Sequence, residues 1–132
     1  IQCALGMSQL KRADKNIKLR NQIANNYIQA FQNNDFKLQK IKDNIYHAYH
    51  LFIIQTNRRK QLYDYLRQNN IYAQVHYIPA HLQPFYKNKG FKKGDFPIAE
   101  AYYEKCLSLP LYPTLKDDEQ EFVIKYITKF NE

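Results

Sequence analysis

The sequence is poor in cysteine, in glycine and in long apolar stretches, and each shortage argues against a class of protein. Its two cysteines, Cys3 and Cys106, have neither a metal-binding nor a redox spacing. That pattern fits a reduced, cytoplasmic protein better than a disulfide framework. Three glycines in 132 residues form no phosphate-cradling loop. No apolar run approaches the roughly 20 residues needed to cross a bilayer, and no secretory signal is recognisable.

Familiar catalytic and metal-binding motifs are missing as well. There is no nucleophile elbow and no His-Glu-x-x-His sequence. Of the four histidines, His47 and His50 should face opposite sides of a strand, and Pro79 interrupts the spacing between His76 and His81. We therefore predict no catalytic residue and no metal ligand within this chain.

The basic charge of the chain is concentrated in its N-terminal half. Residues 1–60 contain eleven Lys/Arg and three Asp/Glu (11 − 3 = +8), whereas residues 61–132 contain nine of each (9 − 9 = 0). Such a field attracts polyanions, and one hypothesis is a small basic interaction module that binds nucleic acid. The other interpretation is a set of solvated helix faces, because no basic run is longer than Arg58-Arg59-Lys60.

Apolar periodicity predicts a mixture of helices and short strands. The predicted elements are a helix over 1–32, a loop or short strand over 36–45, a strand over 46–55, a helix over 57–68, a strand over 71–77, a helical turn within 80–87, a helix over 96–105, a strand over 106–109 and a C-terminal helix. Thr114 and Asp117 resemble a capping box for that last helix. This order favours an α+β domain, with a small sheet and helices packed on one face.

Three helices of the predicted set have apolar stripes that should face the core. The predicted core positions are Leu62, Tyr65 and Leu66 in the helix over 57–68, Ile98, Ala101 and Tyr102 in the helix over 96–105, and Phe122, Val123, Tyr126, Ile127 and Phe130 in the last helix.

The stretch from Gln74 to His81 is the most informative part of the sequence. Pro79 has no amide donor and disfavours helix at the residue before it, so a strand that ends here must leave its sheet. His76, Tyr77 and His81 are then displayed at a strand terminus, where ligands commonly bind. The competing interpretation is that His76 and Tyr77 are edge-strand residues satisfied by their neighbours.

Several motifs, in order along the whole chain, resemble one enzyme family. They are Ala-Leu-Gly-Met-Ser-Gln-Leu-Lys over 4–11, His-Leu-Phe over 50–52 followed by Arg59, His-Tyr-Ile-Pro-Ala-His over 76–81, Gly-Asp-Phe-Pro-Ile-Ala-Glu over 94–100, and Leu-Ser-Leu-Pro-Leu-Tyr-Pro over 107–113. Together they are similar to the PLP-dependent nucleotide-sugar aminotransferases of the DegT/DnrJ/EryC1/StrS family.

The resemblance implies a particular place in a larger enzyme. It implies the C-terminal small domain of a fold-type I PLP aminotransferase (residues 34–132), preceded by a long interdomain helix (residues 1–33) from a large domain. Family members carry their PLP-binding lysine in that large domain, and Lys11, Lys15 and Lys18 lack its small-residue context. We therefore expect the chain to be a fragment that is inactive by itself.

The resemblance also implies a reaction and a substrate site. The sequence around Gly94-Asp95-Phe96-Pro97 is similar to that of the family branch that makes pseudaminic acid precursors. In that branch, glutamate provides the amino group for C4 of a UDP-4-keto-6-deoxy-N-acetylhexosamine. The expected assembly is a homodimer, with no nucleic-acid or membrane partner. The expected substrate-binding residues are Gln74, His76, Tyr77 and His81.

Overall fold

A computed structural model describes residues 1–131 as an α+β domain built on a small antiparallel sheet. Strand β2 is central and pairs with β1 on one side and with β3 on the other. In chain order the elements are α1 (Gln2–Leu10), α2 (Ala13–Phe31), β1 (Lys37–Leu38), β2 (Phe52–Gln55), α3 (Arg59–Gln68), a 3-10 turn (Ala80–Leu82), α4 (Pro84–Lys87), α5 (Pro97–Lys105), β3 (Cys106–Leu109) and α6 (Asp117–Asn131). The predicted fold class, a short sheet combined with helices, is confirmed.

The core forms where α2, α3 and α6 bury their apolar stripes with the sheet. Tyr27 of α2 stacks on Phe31 and lies against Phe52 of β2, with ring centroids 5.8 and 5.1 Å apart. The Tyr27 hydroxyl donates a hydrogen bond to the Pro110 carbonyl at 2.9 Å, so its one polar atom is satisfied in the core. Burying each such side chain contributes about 1.5–3 kcal/mol to folding.

The N-terminal helix differs from the sequence prediction, because it is two helices and not one over 1–32. A turn at Lys11 and Arg12 separates α1 from α2. The Arg12 N–H bonds to the Gln9 carbonyl at 3.0 Å, three residues back and not four, which tightens the chain and redirects it. All residues of α1 are exposed, so no tertiary packing holds the two helices in one line.

The predicted strand over 46–55 is shorter than expected, since only its last four residues pair in the sheet. The Tyr49 N–H donates to His47 Nδ1 at 2.9 Å, and Tyr49 has a positive φ of 42°. Arg20 of α2 donates to the carbonyls of Tyr49 and His50 at 3.0 and 3.3 Å. Side-chain hydrogen bonds therefore satisfy the backbone of Tyr49 and His50, in place of the strand pairing that was expected there.

The predicted strand over 71–77 is reduced to one isolated antiparallel bridge, between Gln74 and Ser108. The expected helical turn within 80–87 is present as the 3-10 turn and α4. The expected capping box is shifted: the Lys116 N–H, not a group of Thr114, bonds to a side chain three residues later, Glu119 Oε2 at 3.0 Å.

The predicted core faces are right for α3 and wrong for α5. In α3, Leu62 and Leu66 are fully buried. In α5 the expected core residue Ile98 is 87 % exposed, and Ala101 and Tyr102 are exposed too. The buried residue of α5 is instead Glu100, whose carboxylate accepts hydrogen bonds from His81 and from the backbone of Gly94 and Phe96, as described below. In α6 the stripe is confirmed at Val123 and Ile127, whereas Phe122 is exposed.

Among residues 1–131, none of the helices combines the length and the apolar character that a membrane crossing requires.

Candidate substrate-binding site

The site begins where the chain runs beside β3. The Gln74 N–H donates to the Ser108 carbonyl at 3.0 Å, and the Ser108 N–H donates back to Gln74 at 2.8 Å. This bridge fixes the start of the segment 74–79, and Pro79 at its end adds no donor. The four residues between Gln74 and Pro79 are thus held close to the sheet without being part of it.

His76 and Tyr77 are the two predicted site residues that line the site together. His76 Nδ1 lies 2.9 Å from the Ser108 hydroxyl oxygen, so a buried β3 side chain orients the imidazole. The Tyr77 ring stands edge-on to that imidazole, with centroids 4.7 Å apart, and the peptide bond between the two residues is cis. Tyr77 is 74 % exposed. Its phenol is therefore presented outward from a fixed partner.

Both side chains open onto a surface concavity of about 700 Å³ between the segment 76–79 and the start of α5. Its lining is mostly apolar, with His76, Tyr77, Asp95 and Tyr102 as its titratable groups. The full lining is His76, Tyr77, Pro79, Asp95, Phe96, Pro97, Ile98, Ala99 and Tyr102. Such a surface can stack a ring and offer a few directed hydrogen bonds, which is the usual chemistry of a small-molecule site.

The other two expected site residues lie elsewhere. Neither Gln74 nor His81 lines the concavity. Gln74 has an exposed side chain and contributes its backbone to the bridge described above. His81 is only 7 % exposed, and its Nε2 lies 2.8 Å from Glu100 Oε1. The His81 side chain is thus held by Glu100 and does not line this concavity.

Glu100 is the residue that the sequence analysis missed. Its Oε1 accepts hydrogen bonds from the His81 imidazole and from the backbone N–H groups of Gly94 at 2.8 Å and Phe96 at 3.4 Å. The Gly94 N–H first, and the His81 hydrogen bond second, hold the pKa of this carboxyl below its ordinary value. A single carboxylate within the apolar run 96–102 was the available signal.

The residues of this chain do not by themselves fit a PLP site. Every one of the fifteen lysines is solvent-exposed, and none of them lines the 700 Å³ concavity. A lysine that binds PLP covalently has to be enclosed beside the cofactor's ring and phosphate groups. In the part of the chain that the structure describes, no group of three or more His, Cys, Asp or Glu side chains could hold a metal ion.

Comparison with known proteins matches nearly the whole chain to one protein family. The sequence profile of the DegT/DnrJ/EryC1/StrS aminotransferase family matches residues 1–128. Spore coat polysaccharide biosynthesis protein SpsC of Bacillus subtilis is 39 % identical over 96 % of the chain and 35 % of its own length. A UDP-4-amino-4,6-dideoxy-N-acetyl-beta-L-altrosamine transaminase of Campylobacter jejuni is 33 % identical over 93 % of the chain and 34 % of its own length.

A solved structure agrees with these matches. The crystal structure of DesV from S. venezuelae, in complex with a ketimine intermediate, superimposes with a TM-score of 0.94 at 28 % identity. The superposition covers 99 % of this chain and 36 % of DesV. The chain thus spans about a third of the length of the relatives that it matches.

Proposed function

Because the chain belongs to the DegT/DnrJ/EryC1/StrS aminotransferase family, we propose that it serves as the small domain of a PLP-dependent nucleotide-sugar aminotransferase. The observation that carries this proposal is the match of nearly the whole chain to one third of such enzymes, with a TM-score of 0.94 to DesV. In this arrangement residues 1–33 connect to a large domain, and residues 34–132 form the small domain. The fully exposed α1 suits a connector that packs against another part of the enzyme.

The proposed substrate contacts are the His76 imidazole and the Tyr77 hydroxyl. Both side chains line the concavity, and the Ser108 hydrogen bond restrains the first of them. Neither needs a fixed charge to bind a sugar hydroxyl or to stack on a ring. Gln74 and His81 support the site from outside the concavity, through the bridge to β3 and through Glu100.

The finer proposal concerns the reaction. We infer amination of C4 of a UDP-4-keto-6-deoxy-N-acetylhexosamine, with glutamate as the amino donor, by a cytoplasmic homodimer. This inference is supported by the sequence motif over residues 94–100 and by the 33 % identity to the Campylobacter altrosamine transaminase. SpsC, at 39 % identity, is not named for that reaction, so the identity of the sugar has to be tested directly.

The cofactor is proposed for the enzyme and not for this chain alone. Since all fifteen lysines are exposed, the lysine that carries PLP belongs, in this proposal, to sequence outside the chain. The alternative of a separate basic interaction module gains no support, because the family match accounts for residues 1–128, including the basic N-terminal half.

The test uses the polypeptide encoded by the complete reading frame, supplied with PLP and glutamate. A panel of 4-keto and 3-keto sugars, each linked to UDP, dTDP or GDP, would be scored for the amino-sugar product by mass spectrometry. We expect turnover of nucleotide-linked keto sugars, with the UDP-4-keto-6-deoxy-N-acetylhexosamine as the best substrate. A better dTDP or GDP substrate would overturn only the finer proposal, whereas no turnover of any panel member would overturn the proposed function itself.

A further inference from the structure

A buried carboxylate of α5 ties together three neighbouring pieces of chain. One oxygen of Glu100 collects N–H groups from the 94–96 loop and from His81 in the 3-10 turn, while the carboxylate itself belongs to α5. Glu100 is 8 % exposed. A carboxylate is tolerated in such a place only when donors replace the water that it has lost. Because a carboxylate can only accept, the His81 proton in this contact lies on Nε2.

Phe96 connects this network to the substrate concavity. Its ring belongs to the lining of the 700 Å³ concavity and also to that of a second, smaller one of about 360 Å³. The His81 ring packs on Phe96 with centroids 4.8 Å apart. Glu100 therefore holds Phe96 in two ways. It accepts a hydrogen bond from the Phe96 backbone N–H, and it binds the His81 imidazole that packs on the Phe96 ring.

Glu100 itself does not line either concavity. It has no route to a bound substrate except through the residues that it holds, so it is not a catalytic residue. His81 does not line the larger concavity either, so it too can reach a ligand there only through other residues. Both side chains can influence a ligand there only by fixing where Phe96 and the start of α5 lie.

We propose that Glu100, acting with His81, is a positioning residue for the nucleotide-sugar substrate: it fixes Phe96 and so sets the shape of the concavity that His76 and Tyr77 share. The inference rests on the proposed function, since that proposal assigns the substrate to this concavity. It predicts that binding of the sugar nucleotide depends on Glu100, whereas the reaction with glutamate does not.

The experiment compares Glu100→Leu and Glu100→Gln in the complete gene product. Leucine removes the acceptor, whereas glutamine keeps an oxygen for the Gly94 and Phe96 N–H groups. We expect KM for the sugar nucleotide to rise roughly 10- to 100-fold in the leucine variant and less in the glutamine variant. Displacing the groups that bind a substrate has effects of about this size. The single-turnover rate with glutamate alone should stay within about twofold of wild type.

Hydrogen exchange provides a readout that is independent of activity. Peptides covering residues 92–99 should exchange faster in both Glu100 variants, because the Gly94 and Phe96 N–H groups lose their acceptor or its charge. Glu104→Gln is the matched control, one helical turn later. The Glu104 side chain is exposed and its ionic partner, Lys93 Nζ, is 3.8 Å away, so this variant should change neither exchange nor KM.

A double variant tests whether the two residues act as one unit. If His81 acts through Glu100, His81→Phe combined with Glu100→Gln should raise KM no more than the worse single variant does. Independent, multiplying effects would contradict the shared role. Equal losses in the glutamate and sugar half-reactions, or unchanged exchange over 92–99, would overturn the proposal. A wild-type protein that turns over no nucleotide sugar would instead count against the proposed function, and the exchange data would still report on Glu100.

Discussion

At the scale of single residues, the site depends on what holds each side chain in place. His76 is bound to Ser108 of β3, a residue that is itself buried, whereas Tyr77 is largely exposed and lies edge-on to His76. An imidazole restrained on one nitrogen keeps the other available for a ligand. The restraint comes from the sheet, so the position of His76 depends on the correct pairing of Gln74 with Ser108.

Removing either polar group of the site should impair the use of the sugar nucleotide without loosening the fold. In the complete enzyme we expect His76→Ala and Tyr77→Phe to lower kcat/KM by roughly 5- to 150-fold, the effect of losing about 1–3 kcal/mol from one hydrogen bond. PLP occupancy should be unchanged. Steady-state kinetics, with the melting temperature measured beside them, check this prediction.

Tyr46→Phe provides the matched control, since Tyr46 is 68 % exposed and lies outside the concavity. It should leave kcat/KM unaltered. If His76 and Tyr77 were only edge residues satisfied by neighbours, their variants would lose activity in proportion to melting temperature. Unaltered kinetics in both variants would remove them from the site.

At the scale of elements, the helices divide into those that hold the domain together and one that shapes its surface. Helices α2, α3 and α6 bury apolar stripes against one another and the sheet. Helix α5 buries Glu100 and leaves Ile98 in solvent. A helix with an exposed apolar face and an inward carboxylate is unusual for a core element, and its first residues border the concavity that His76 and Tyr77 line.

A truncation in the packed helices should cost far more stability than one on their outer face. Ile127 of α6 is fully buried, so we expect Ile127→Ala to lower the free energy of unfolding by about 2–5 kcal/mol through lost burial and a cavity. Lys125→Ala, on the exposed side of the same helix, should change it by less than about 0.5 kcal/mol. Urea denaturation measures both, and similar losses in the two variants would contradict the assigned core face.

The hydrogen bonds to Glu100 should make part of the stability of this domain depend on pH. The Gly94 N–H, and then His81, lower the pKa of the Glu100 carboxyl in the folded state. Its contribution is therefore present above the ordinary glutamate pKa, and it is lost as pH falls through the lowered value. We expect the melting temperature of Glu100→Gln to fall less steeply below about pH 4.5 than that of wild type. The melting temperature of Glu104→Gln should follow the wild-type curve. A wild-type decline in Glu100→Gln would contradict this linkage.

At the scale of the whole molecule, the chain matches one part of a larger enzyme, and none of its lysines is enclosed. The match to DesV covers almost all of this chain and about a third of that protein. All fifteen lysines face solvent. Activity is consequently a property that the chain should show only together with the rest of the proposed enzyme.

The chain alone should not bind PLP covalently at a defined site. After incubation with PLP, borohydride reduction and dialysis, we expect intact-mass spectrometry to show only scattered, substoichiometric labelling of surface lysines. The reason is that an exposed amine lacks the enclosing groups that hold the cofactor beside a PLP lysine. Stoichiometric labelling of one lysine would contradict the prediction, and the complete gene product, labelled in parallel, is the positive control.

The basic N-terminal half should attract nucleic acid only weakly. Its excess of eight positive charges over residues 1–60 (11 − 3) gives a non-specific field, which counterions screen. We expect fluorescence anisotropy to show binding of single-stranded DNA at low salt that disappears at physiological ionic strength. Sequence-preferring, submicromolar binding at that salt concentration would favour the basic-module hypothesis instead.

The sequence by itself determined the features that depend on local pattern. Periodicity located α3, α6 and β3, since each forms from contiguous residues whose apolar spacing matches its geometry. The motif around His76 and Tyr77 located the candidate site. The tertiary structure alone decided the length of β2 and the inward turn of Glu100. These depend on hydrogen bonds between residues far apart in sequence, such as Arg20 with Tyr49 and His81 with Glu100, which no local pattern encodes.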